Sequence, residues 1–105
     1  MIILLILLSS IDSRYVFYGT QDNYTTVAEI NYTKVIRSTE EYEYVRTHNL
    51  SRNSAKYWLL LNKAADRITR ALSATNYDLI VERGKAPGPV VDITKEVINE
   101  CASPS

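Results

Sequence analysis

A chain of 105 residues with 46% hydrophobic and 23% charged residues is the size of one domain with a modest core. Twelve basic residues balance twelve acidic ones, so the chain lacks the basic excess that a nucleic-acid binder uses to displace counterions from phosphates. The same balance excludes a disordered acidic or basic tail, and the eight tyrosines, rigid rings with polar tips, suit half-buried faces and protein contacts.

In chain order, the unbroken apolar run Met1–Leu8 followed by Ser9 and Ser10 reads as the hydrophobic region of a secretory signal. It is too short to span a bilayer, which takes about 20 residues. The expectation is therefore export, with residues 1–25 forming a signal peptide and a polar linker, and residues 26–105 forming a single domain. Within the linker only Tyr15-Val-Phe-Tyr18 is extended in character. Residues 26–33 follow, with Val27, Ala28, Ile30 and Tyr32 giving a half-buried strand.

From Lys34 the period changes. Val35, Ser38, Tyr42, Val45 and Asn49 recur at spacings of three and four, with Glu40, Glu41 and Glu43 between them, which predicts an amphipathic helix over about 34–48. A polar break at 48–53 precedes a second helix over about 54–76, capped by Asn53 or Ser54. Its apolar seam is Trp58, Leu61, Ala65, Ile68 and Leu72. The first helix is acidic and the second basic, so the two complement each other as an antiparallel hairpin. Exposed ion pairs add only about 0–1 kcal/mol each, so burial of the seam must be the main stabiliser. Residues 77–82 alternate as a strand, and Arg83-Gly-Lys-Ala-Pro-Gly-Pro89 reads as a hairpin turn. A short strand over 90–92 leads to a C-terminal helix over 95–101, with Thr94 as its N-cap. The fold class expected is α+β: a small strand body, a short helical hairpin and a terminal helix.

Catalytic patterns are not evident. His48 is the sole histidine and falls in a polar turn, with no nucleophile and third group arranged around it. Cys101 is the only cysteine, so no intramolecular disulfide and no cysteine metal cluster forms. Glu40, Glu41 and Glu43 read as a solvated acidic face instead of a metal site, and Gly84-Lys85 lacks the phosphate-loop spacing. No cofactor and no small-molecule substrate is expected. Asn23-Tyr-Thr, Asn31-Tyr-Thr and Asn49-Leu-Ser are glycosylation sequons, meaningful only in a eukaryotic secretory pathway. Tyr42, Tyr44 and Tyr57 are candidates for a partner-binding surface.

The C-terminal part is more specific. The helix Leu61–Leu72, then Tyr77-Asp-Leu-Ile-Val81, a turn, Val91-Asp-Ile-Thr94 and Val97-Ile98 resembles the C-terminal end of the OmpH-like (Skp) family of periplasmic chaperones. Thr26–Ile36 is similar, less specifically, to that family's first strand and helix start. The resemblance implies a homotrimer whose strands share a central body, here with Val27, Ile30, Leu79 and Val81, and helical arms that shield unfolded outer-membrane proteins without ATP. The hairpin would be held by Trp58, Leu61, Ile68 and Leu72. The family's arms are long and its members basic, whereas this chain is neutral and has room for only a short arm. The leading expectation is a non-catalytic, periplasmic or secreted chaperone-like protein that binds unfolded or envelope proteins. The rival is a structural or adaptor protein with one folded partner.

Overall fold

The computed structural model describes residues 13–20, 24–86 and 88–102. The apolar run Met1–Leu8 and the sequon at Asn23 lie outside them. No helix among the described residues is long and apolar enough to cross a membrane.

The fold is α+β. Four strands, β1 (Val16–Tyr18), β2 (Val27–Ile30), β3 (Leu79–Glu82) and β4 (Val91–Asp92), form one sheet in the order β1-β3-β2-β4. Three helices, α1 (Tyr32–Arg37), α2 (Glu40–Thr47) and α3 (Ala55–Ser73), connect β2 to β3, and α4 (Thr94–Ala102) follows β4. β2 runs parallel to β3, with Val27 beside Leu79 and Ile30 beside Glu82, and parallel to β4 on its other side. β1 pairs antiparallel with β3.

Alternation along the strands separates two faces. Ala28, Ile30 and Ile80 point to the helices and pack with Val35, Ile68, Leu72, Ile93, Val97 and Cys101. Leu79 and Val81 point to the opposite face, where Tyr15, Val16, Tyr24, Val27 and Ala86 cover them. Ile30, Leu79 and Val81 are therefore 0% exposed in the single chain. Of the residues expected in a shared body, Ile30 faces the helices, Val27, Leu79 and Val81 lie on the opposite face, and only Val27 keeps partial exposure in the single chain.

Three corrections concern connections. The Tyr15–Tyr18 patch is not linker: it supplies an edge strand, and Phe17 stacks on Tyr32 with ring centroids 4.6 Å apart. The segment 83–90 is not a hairpin turn, because β3 and β4 are parallel and β2 lies between them. Its Ala86 packs on the face of Leu79 and Val81, and the Gly84 amide donates to Glu29 Oε2 at 3.0 Å, with Gly84 at φ 84°. Finally, the helix expected over 34–48 is two. Ser38 Oγ donates to the Val35 carbonyl (2.6 Å) and Thr39 Oγ1 to that of Ile36 (2.7 Å), drawing acceptors from the helical ladder. Thr39 then caps α2 by accepting from the Tyr42 amide.

The two aspartates of the family-like motifs anchor strand ends. Asp78 accepts from the amide and hydroxyl of Thr25, at 3.2 and 2.7 Å. Asp92 Oδ1 accepts from the Thr94 amide at 2.9 Å, so the expected N-cap, Thr94, is instead the first helical residue. Its Oγ1 also accepts from the Asn31 amide (2.8 Å), tying the end of β2 to α4.

Candidate functional site: the aromatic end of the hairpin

α2 and α3 form the hairpin, and Ser54 starts α3 by accepting from the Tyr57 amide at 3.0 Å. α3 has 19 residues, about 28 Å of helix, whereas α2 has only 8. The sheet, α1 and α4 occupy the C-terminal half of α3, where Ala64, Ile68, Ala71 and Leu72 are buried. Ile68 and Leu72, expected in the hairpin seam, are buried in the core that faces the sheet, and Leu61 is half-buried.

Trp58 does not join that seam: it is 52% exposed. The buried positions of α3 recur as 64, 68, 71 and 72, and continuing that stripe toward the N-terminus reaches 57 and 61. Trp58 is rotated off it. Its indole Nε1 instead donates to the Arg52 carbonyl at 2.6 Å, fastening the ring over the loop between the helices.

Three of the four exposed large apolar groups among the described residues, Tyr44, Trp58 and Leu59, belong to the two hairpin helices, and the fourth, Val91, lies on β4. Leu59 is 55% exposed and Tyr44 37% exposed. Tyr57 meets Trp58 edge-on at 5.0 Å between centroids. Tyr44 stacks on His48 at 3.7 Å, and the Lys56 ammonium sits 5.0 Å from the Tyr44 ring centroid. His48 therefore closes α2, with Nδ1 3.0 Å from the Tyr44 carbonyl. Of the tyrosines proposed from sequence, Tyr44 contacts His48 and Lys56 and Tyr57 contacts Trp58, whereas Tyr42 is half-buried on α2. Leu59 was missed by the sequence reading. Its signal is an apolar residue out of phase with the buried stripe. Asn49, exposed in the loop at φ 51°, leaves its sequon accessible, whereas the Asn31 side chain caps α1.

The base of the hairpin is ionic. Arg67 donates to Glu40 (2.9 Å), to both oxygens of Glu41 (3.1 and 2.7 Å) and to the Cys101 carbonyl (3.2 Å). The acidic residues are thus more than a solvated face: Glu41 and Arg67 side chains are only 12% and 26% exposed, and together they join α2, α3 and α4. Glu43 pairs separately with Arg46 at 2.8 Å. A cleft of about 500 Å³ beside Arg67 is bounded by Ser38, Thr39 and Cys101. Its Arg67–Glu41 pairing fastens helices together. Among the described residues, no three or more His, Cys, Asp or Glu converge as a metal-ligand set.

The Arg67 hydrogen bonds hold the Glu41 carboxyl below the usual glutamate range, and those from Thr25 and Thr94 do the same for Asp78 and Asp92. A carboxylate whose pKa is lower folded than unfolded adds stability above the unfolded pKa. That stability is lost as pH falls through the folded value. The urea midpoint is accordingly expected to fall as pH drops below about 4. Glu41→Gln should flatten that acid limb. A variant limb as steep as the wild type's would contradict the assignment to Glu41.

Comparison with family models, with curated proteins and with solved structures found no match.

Proposed function

We propose that the chain is a non-catalytic, ATP-independent protein-binding chaperone that shields unfolded envelope proteins, with the aromatic end of its hairpin as the contact surface. The observation that carries the reading is the placement of Trp58, Leu59 and Tyr44 outside the core on an ordered scaffold. Exposed aromatic and aliphatic groups gathered at a projecting end are the chemistry that captures apolar segments of other chains. The sequence resemblance to OmpH-like chaperones supports the same reading. So do the roles of Asp78 and Asp92, which make those motif residues structural instead of catalytic. Self-association through Leu79 and Val81 is not part of the proposal, because the chain's own segments enclose both.

Light scattering of several unrelated outer-membrane proteins diluted from urea tests the reading. Wild-type protein should suppress aggregation of more than one client without ATP. Losing a tryptophan anchor costs about 2 kcal/mol, near thirtyfold in affinity, so Trp58→Ala with Leu59→Ala should abolish suppression at equal concentration. The unfolding free energy should fall by only about 1–2 kcal/mol, chiefly from the lost Trp58 hydrogen bond to Arg52, since both side chains are more than half exposed. Protection of no client would contradict the reading. Tight binding of one folded partner alone would replace it with the adaptor reading.

A further inference from the structure

We propose that α2 is a releasable cover over the N-terminal half of α3, and that lifting it extends the contact surface from Leu59 onto Leu60 and Ala64; this rests on the protein-binding function proposed above. Arg67 fixes which face of α3 lies beneath α2, because its guanidinium meets Glu40 and Glu41 there. Helical spacing, counted back from Arg67 by three and by seven residues, puts Ala64 and Leu60 on that face, with Lys63 and Lys56 at its border. The contacts agree. The Lys56 ammonium lies over the Tyr44 ring, and Lys63 acts on the Glu41 carboxylate. Ala64 is fully buried and Leu60 half-buried.

The cover is lightly seated. Of the eight residues of α2 only Val45 is buried, and neither Val45 nor Ala64 belongs to either apolar cluster that holds the sheet. Much of the attachment is therefore the polar latch of Arg67 on Glu40 and Glu41. Both ends of α2 are jointed. Thr39, with extended backbone at φ −75° and ψ 153°, separates it from α1. At the other end Trp58 pins the loop at Arg52, which leaves residues 48–51 as a tether of up to about 13 Å. A short segment with few buried apolar contacts and a joint at each end is the kind that opens locally. Meanwhile Ile68, Ala71 and Leu72 keep α3 docked on the sheet. Leu59 and Leu60 are consecutive, so an apolar client segment seated on Leu59 continues onto the strip that α2 leaves.

Amide hydrogen exchange, with light scattering of clients diluted from urea alongside, tests the cover. In the wild-type protein the amides of Tyr44–Thr47 should exchange at least about tenfold faster than those of Ile68–Leu72. Glu41→Gln, which keeps the side chain's size and weakens the latch, populates the open form more. It should suppress aggregation at about one third of the wild-type concentration or less. The opposite arm replaces the latch by a covalent one. Glu41→Cys with Arg67→Cys, in a Cys101→Ala background, is joined by a short bismaleimide. Bridging should slow exchange in α2 to the rate of Ile68–Leu72 and weaken suppression at least about threefold against the same protein unbridged. Equal suppression by the bridged and unbridged protein would overturn this inference alone. So would wild-type α2 amides that exchange no faster than those of Ile68–Leu72. Fast exchange in α2 with no suppression by any variant would overturn the chaperone reading and leave the cover as a property of the fold.

Discussion

Ile80→Ala is expected to lower the unfolding free energy by about 2–5 kcal/mol, the cost of deleting a large aliphatic side chain from a closed core. Ile80 is 0% exposed, sits in a central strand and faces the helices with Ala28 and Ile30. A small domain has only about 5–15 kcal/mol in total, so this variant should lose a large share of its stability. Leu59→Ala removes a side chain of similar size from a position 55% exposed, and should change stability by no more than about 0.5 kcal/mol. Urea titration of the two variants side by side checks the division between core and contact surface. Equal losses would contradict it.

Gly19→Ala should be nearly as damaging, for a backbone reason. Gly19 has φ 85°, a left-handed conformation that costs an L side chain about 1–2 kcal/mol. An added Cβ would also collide with the Asp78 carbonyl oxygen, so the backbones at the ends of β1 and β3 could not keep their approach. The expected total is at least about 2 kcal/mol. The damage should be local in kind, because β1 is an edge strand. Its release would uncover Leu79 and Val81 and admit a hydrophobic dye, and proteolysis within residues 13–20 should accelerate. An alanine variant with wild-type stability and no dye binding would refute this account of Gly19.

The same comparison of faces explains what was legible in the sequence. Long periodic segments carry their structure openly. Ile68 and Leu72 repeat at helical spacing and are core, and Leu79–Glu82 lies within the stretch 77–82 that reads as strand from its alternation. Partner geometry is less legible. Trp58 shares a plausible period with Leu61 and Ile68, but it is rotated off the stripe on which Ala64, Ile68, Ala71 and Leu72 are buried. The crossover of 83–90 looks like a hairpin turn because Gly84 and the prolines punctuate both alike. Only the placement of β2 between β3 and β4 decides. Ser38 and Thr39 contained a local signal, since hydroxyls that bond backward to carbonyls compete with helix, yet their spacing also fits an amphipathic stripe. Arg67 gave no sign of its role. One basic residue among several becomes a junction only when Glu40, Glu41 and Cys101 fold around it. The hairpin end is likewise a product of folding, since its apolar side chains are conspicuous only once the core has excluded them.

The central claim is that this protein works by contact through the end of its helical hairpin. Amide chemical-shift mapping of the labelled protein with an unfolded outer-membrane protein tests it most directly. The account predicts perturbations concentrated over residues 44–63, led by Tyr44, Trp58 and Leu59, with the sheet core unaffected. Perturbations confined to the sheet edges at Val16–Tyr18 and Val91–Asp92, with the hairpin end unchanged, would contradict it.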